Sequence, residues 1–152
     1  MAMTLMPPDF KEFLRYLKDH EVRFLLIGGY AVNAHGYVRN TVDIDVWVAS
    51  NPENRRRVVH AVREFGFAST GYDVLDAERA MLRMGAPPLR IAVMRVIDGV
   101  EFEDCWSRRV QVVLDGVELP LISLPDLKTN KLASGRPKDL VDLNELEVDF
   151  EA

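Results

Sequence analysis

The sequence predicts an α/β (α+β) fold in which a mixed β-sheet is flanked by helices and followed by C-terminal helices. Three observations predict it. Short apolar runs such as Phe24–Ile27 and Leu89–Ile97 alternate with segments of helical spacing. Asp115-Gly116 between Val110–Leu114 and Val117–Leu121 carries a strong hairpin signal. After residue 122 the pattern is helical to the end, with Ser123 three residues before Asp126 and Pro137 opening a last helix.

Taken in order, Pro7-Pro8 followed by Phe10, Phe13, Leu14 and Leu17 predicts an amphipathic helix over roughly 8–19. Phe24–Ile27 is a buried strand ending at Gly28-Gly29, and Tyr30–His35 is a short helix ended by Gly36. Val42 to Val48 alternates strictly, which places Asp43, Asp45 and Trp47 on one face. Ser50 and Glu53 stand in capping-box spacing ahead of Val58, Val59, Val62 and Phe65, with Gly66 as the stop. Between Ala68 and Ala86 the only element suggested is a short helix near Ala77–Leu82. A strand over Leu89–Ile97, a turn at Asp98-Gly99 and a helix from Phe102 to Arg108 lead into the hairpin. Two closing helices follow, the first ended by Gly135.

The 152 residues are expected to form one domain, with a sheet core over 8–122 and a helical pair over 123–150. One cysteine, Cys105, rules out an internal disulfide. No apolar run approaches the ~20 residues of a membrane span, so no membrane partner and a cytoplasmic location are expected. The net charge of −5 excludes a general nucleic-acid coating role, yet six acids and no bases follow Lys138. A local basic surface in the preceding chain therefore remains open.

Asp43 and Asp45, two apart on a strand, project from one face and are spaced to grip a hard divalent cation; the alternative is a polar edge-strand face. Upstream, the Gly28-Gly29 turn between strand and helix offers backbone amides to an anion. Together they describe a triphosphate held by amides and a bridging Mg²⁺ held by aspartates.

The run Ile27-Gly28-Gly29-Tyr30-Ala31-Val32-Asn33-Ala34-His35-Gly36, with Arg39-Asn40-Thr41-Val42-Asp43-Ile44-Asp45, resembles the signature of the DNA polymerase β-like nucleotidyltransferases. The tail from Lys131 to Leu143 is similar to the later motif of the minimal and abortive-infection toxin-like bacterial branch. The resemblance implies the nucleotidyltransferase fold and transfer of a nucleoside monophosphate from NTP to an acceptor, an RNA such as tRNA or a protein, with Mg²⁺ or Mn²⁺ as cofactor. A toxin role with an antitoxin partner is implied too. Mapped onto this chain, Asp43 and Asp45 ligate metal and Gly28 and Gly29 contact phosphate. Lys131, Arg136 and Lys138 neutralise nucleotide or acceptor charge, and Asp142 orients Lys138 or joins the chemistry; Arg39 and Thr41, leading into the aspartate strand, either reach the triphosphate or are a loop arginine and a strand-start threonine. The superfamily's third carboxylate falls on Ala92, which implies a weakened catalytic metal site with nucleotide binding retained. The alternatives are a catalytically degenerate NTP- and Mg²⁺-binding protein, and a toxin–antitoxin interaction protein.

Other residues have plainer readings. His35 caps its helix or bonds a backbone carbonyl, Arg55–Arg57 is a solvated helix face or a nucleic-acid patch, and Trp47 packs on a helix or stacks on a base. Asp98, Glu101 and Glu103 are poor substitutes for a carboxylate at position 92.

Overall fold

The computed structural model describes residues 6–37, 42–86 and 89–151, with side chains to residue 146. The elements in chain order are α1 (Pro8–Asp19), β1 (Phe24–Ile27), α2 (Gly28–Ala34), β2 (Asp43–Val48), α3 (Pro52–Phe65), β3 (Met81–Met84), β4 (Arg90–Met94), α4 (Phe102–Ser107), β5 (Val110–Leu114), β6 (Val117–Leu121), α5 (Leu124–Ser134) and α6 (Pro137–Glu151). The strands form one mixed sheet in the order β3-β4-β2-β1-β6-β5. β2 pairs antiparallel with β1 and parallel with β4, while β6 runs parallel to β1 and antiparallel to β5.

The alternation of β2 divides the sheet's two faces. Ile44, Val46 and Val48 are fully buried in the cluster that holds Phe10, Phe13, Leu14 and Leu17 of α1 and Val58, Ala61 and Val62 of α3. On the opposite face Trp47 is buried edge-on against Phe102 of α4, and its indole N–H donates to the Arg95 carbonyl at 3.0 Å. That satisfied polar handle anchors α4 to the sheet and leaves Asp43 and Asp45 beside it on the same strand.

Three local expectations are corrected. The Ala77–Leu82 stretch contains no helix; β3 occupies Met81–Met84 and pairs antiparallel with β4, closing that edge of the sheet. The cap of α3 is Asn51, whose side chain accepts from the Asn54 amide at 2.8 Å, rather than Ser50. α2 begins at Gly28, two residues before the expected Tyr30. The hairpin forms as read, with Asp115 and Gly116 both at positive φ (49° and 77°), which suits a tight two-residue turn. Ser123 caps α5 and Gly135 ends it in the left-handed conformation.

Candidate active site

The Asp43 and Asp45 face of β2 opens into a cleft of about 540 Å³. Its floor is made by β1, β2, β4 and β3, and its far wall by the α5–α6 turn. Six bases and four acids line it, so a chain of net charge −5 concentrates positive charge there. A larger hollow of about 1140 Å³ adjoins it past Arg79 and Asp98, but seven acids against three bases line that hollow, and it repels a triphosphate.

Asp43 and Asp45 are half-buried, with Ile27 the antiparallel partner of Asp45 on β1. The chain then turns into α2 through Gly28, whose φ of +69° falls in the left-handed region. A Cβ at Gly28 would overlap the Asp45 carboxylate. Glycine is required there twice, for backbone conformation and because the carboxylate packs over its Cα. Burial raises the Asp45 carboxyl above its ordinary range and the neighbouring Asp43 charge raises it further, against the opposing pull of Lys138, Arg136 and Lys131. Gly28→Ala is expected to destabilise the fold by about 1–2 kcal/mol through its left-handed φ and to displace Asp45; thermal unfolding and a Mg²⁺–NTP titration read the two effects separately.

The α5–α6 corner is held by a buried ion cluster. Lys131 is 3% exposed and donates through Nζ to Asp142 at 2.9 Å and Asp139 at 3.3 Å. Asp139 also accepts from Arg136 at 2.7 Å and from the Ser134 hydroxyl. Burial alone would raise the Asp139 carboxyl, but the Ser134 and Arg136 hydrogen bonds and the Lys131 charge outweigh it and hold it below the usual range. The structure thus gives Asp142 an inward partner, Lys131, where the sequence suggested that it orients Lys138. Arg136 and Lys138 lie exposed at the turn and face the carboxylates, and their charges reach Asp45.

Ala92 is the parallel register partner of Asp45 and lines the same cleft. The structure therefore brings Gly28, Asp43, Asp45, Ala92, Lys131, Arg136 and Lys138 to one place. Gly29 is buried in the first turn of α2, Asp142 lies behind Lys131 with no exposure, and Arg39 and Thr41 lie outside the described residues. Sequence reasoning passed over Arg83 and Arg90, which line the cleft; the period-two spacing of Arg90 and Ala92 on one strand was the available signal.

The remaining candidates have structural partners. His35 donates through Nε2 to the Ile122 carbonyl at 2.8 Å, and its burial lowers the imidazole pKa. Arg55 pairs with Asp76, Arg57 with Glu53, and Arg56 lies over the Tyr72 ring. Burial and then Asp126 push the Cys105 thiol up to about 12, which leaves it protonated and inert.

The same architecture occurs in solved structures. TM1012 of Thermotoga maritima, described as a nucleotidyltransferase by assignment, superposes with a TM-score of 0.62 at 17% identity, over 96% of this chain and 97% of that one. The lincosamide antibiotic adenylyltransferase LnuA, solved with lincomycin bound, gives 0.60 at 13% identity over 95% and 98%. The antibiotic-resistance factor ANT(2'')-Ia gives 0.62 at 11% identity over 93% and 82%. At these identities the likeness establishes the nucleotidyltransferase fold. No curated protein matches the chain in sequence. A family model described as "Nucleotidyltransferase of unknown function" (DUF6036) matches residues 9–150, and the chain belongs to that family.

Proposed function

We propose that the chain transfers a nucleoside monophosphate from an NTP to an acceptor hydroxyl in the Asp43–Asp45 cleft. The observation that carries this reading is the Asp45 carboxylate seated over Gly28 and faced by Arg136 and Lys138. In the reaction the acceptor oxygen bonds to the α-phosphorus, the bond to the bridging oxygen breaks, pyrophosphate leaves, and the hydroxyl proton passes to solvent. In this reading the phosphates are met by the backbone amides of Gly28, which lines the cleft, and of Gly29 behind it, and Arg136 and Lys138 offset the charge of the leaving pyrophosphate. Lys131, Asp139 and Asp142 hold the turn that presents those two cations.

A divalent cation fits the donors present. The Asp45 carboxyl, raised by burial and by the neighbouring Asp43 charge, gains from a cation beside it, and phosphate oxygens and water complete a Mg²⁺ or Mn²⁺ shell. Among the described residues no group of three or more His, Cys, Asp or Glu side chains forms a metal site, so Asp43 and Asp45 are the protein ligands in this reading. When bound, the cation polarises the phosphate undergoing attack.

Ala92 supplies no carboxylate beside Asp45, which favours a second reading, NTP binding with little turnover. The tail motif supports an RNA acceptor such as tRNA, or a protein, in a toxin-like role. Leu132, Leu140 and Val141, exposed on α5 and α6, support an antitoxin partner surface. Calorimetry with each of the four NTPs, with and without Mg²⁺, tests the nucleotide reading: at least one should bind in a Mg²⁺-dependent way, and no binding by any overturns it.

A further inference from the structure

Two arginines on the sheet floor stand outside the triphosphate site. Arg90 on β4 is the register partner of Asp43, and Arg83 on β3 is the register partner of Ala92, so both share the face that carries the aspartates. Both are exposed, both line the cleft, and neither makes an ion pair within the described residues. Three of the other four cations of the cleft differ: Lys131 and Arg136 are tied to Asp139, and Arg79 lies 3.7 Å from Asp98, while Lys138 faces Asp45 from the α5–α6 turn. Arg83 and Arg90 are diagonal neighbours on antiparallel strands, a spacing of about 7–8 Å between backbones that two long side chains span easily. Two like charges held so close are suited to share one phosphate, since guanidinium forks bind it through paired hydrogen bonds.

Sheet order sets them apart from the glycine turn. Gly28 follows β1, on one side of the aspartate strand; Arg90 and Arg83 lie on β4 and β3, on the other. The carboxylates therefore separate a nucleotide side from a second cationic side. Ala92, whose side chain is a single methyl, lines the cleft between Asp45 and Arg83 in register.

We propose that Arg83 and Arg90 form the acceptor subsite and grip a phosphate adjoining the attacking hydroxyl, so that the acceptor is a phosphate-bearing molecule, a nucleotide or the end of an RNA. This rests on the transfer reading above and narrows its acceptor. A protein hydroxyl or a neutral small molecule would leave both guanidiniums without a ligand.

Binding tests it without requiring turnover. Anisotropy of a labelled single-stranded oligoribonucleotide is read with Mg²⁺ and a non-hydrolysable NTP analogue, and NTP affinity is measured in parallel by calorimetry. Arg83→Gln/Arg90→Gln should weaken oligonucleotide binding roughly tenfold to hundredfold and flatten its log–log salt dependence by about 0.7 for each phosphate that is no longer neutralised. NTP affinity should stay at the wild-type order, and Arg83→Lys/Arg90→Lys, which keeps the charges but not the paired hydrogen bonds, should bind the oligonucleotide between wild type and the glutamine variant. With the NTP analogue saturating, competition by a nucleoside 5′-monophosphate as effective as by the oligonucleotide supports a nucleotide acceptor, whereas competition by the oligonucleotide alone supports RNA. Equal binding by wild type and the glutamine variant, or no oligonucleotide binding while NTP binds, overturns the subsite. Arginine-dependent oligonucleotide binding with no NTP binding supports the subsite and overturns the transfer reading.

Discussion

Asp43→Ala/Asp45→Ala should abolish Mg²⁺-dependent NTP binding in calorimetry, leaving only weak, metal-independent association through Arg136, Lys138 and the glycine turn. In the proposed reading these two carboxylates are the cation's protein ligands, so removing both should remove its anchor. The pH dependence has a definite sign. Asp45 is raised above the ordinary carboxylate value of 3.8, chiefly by burial and next by Asp43. Metal binding needs the deprotonated form, so Mg²⁺ affinity should climb as pH rises through that elevated range. Folding runs the other way. The folded chain holds the Asp45 proton more tightly than the unfolded one, so the contribution to stability falls as pH rises from 3.8 through the raised value. Asp45→Asn should therefore raise the metal-free melting temperature near neutral pH while removing metal binding. Unchanged NTP affinity in the double variant contradicts the assignment.

The largest stability effect is expected at Lys131. Lys131→Met leaves Asp139 and Asp142 buried without their shared cation. Breaking a buried ion cluster by removing one partner costs about 3–5 kcal/mol, a large part of the ~5–15 kcal/mol that holds a domain together. Urea unfolding measures it. Lys131→Met/Asp139→Asn/Asp142→Asn should recover much of the loss, because no buried charge is then left alone. Asp139 adds a pH signature. Its pKa is depressed, so its stabilisation is present above the ordinary carboxylate value and disappears as pH falls through its folded value. An unchanged urea midpoint in Lys131→Met would show that the cluster does not hold the α5–α6 corner.

Elements whose physics is local were legible in the sequence. Asp115-Gly116 supplies two positive φ angles in succession, Ser123 reaches the Asp126 amide three residues on, and the alternation of β2 separates its faces. β3 was not legible. Met84 is its only buried residue, Arg83 faces the cleft and Met81 is exposed, so no alternation marks it; it exists because β4 needs a partner on its outer edge. The early start of α2 was hidden for a related reason. Two glycines oppose helix on propensity, and it is the packing of Asp45 over Gly28 that fixes the chain there. In the cleft, the strand spacing of Asp43 and Asp45 and the tail motif pointed to residues that the fold brings together. The inward pairing of Asp142 with Lys131 and the meeting of Arg83 with Arg90 depend instead on how distant strands and helices pack.

Label transfer from the four α-labelled NTPs, in the presence of Mg²⁺ and total tRNA and protein, tests nucleotidyl transfer most directly when wild type is compared with Ala92→Asp. Position 92 sits beside Asp45 in register, so a carboxylate there would join the two aspartates on the cleft face, as a third metal ligand and base in the proposed reading. A positioned general base contributes about 10²–10⁴-fold. Wild type is expected to transfer slowly, Ala92→Asp faster by that order, and neither once Asp43 and Asp45 are also removed. Transfer that survives loss of both aspartates, or its absence from wild type and Ala92→Asp alike, would contradict the transfer reading.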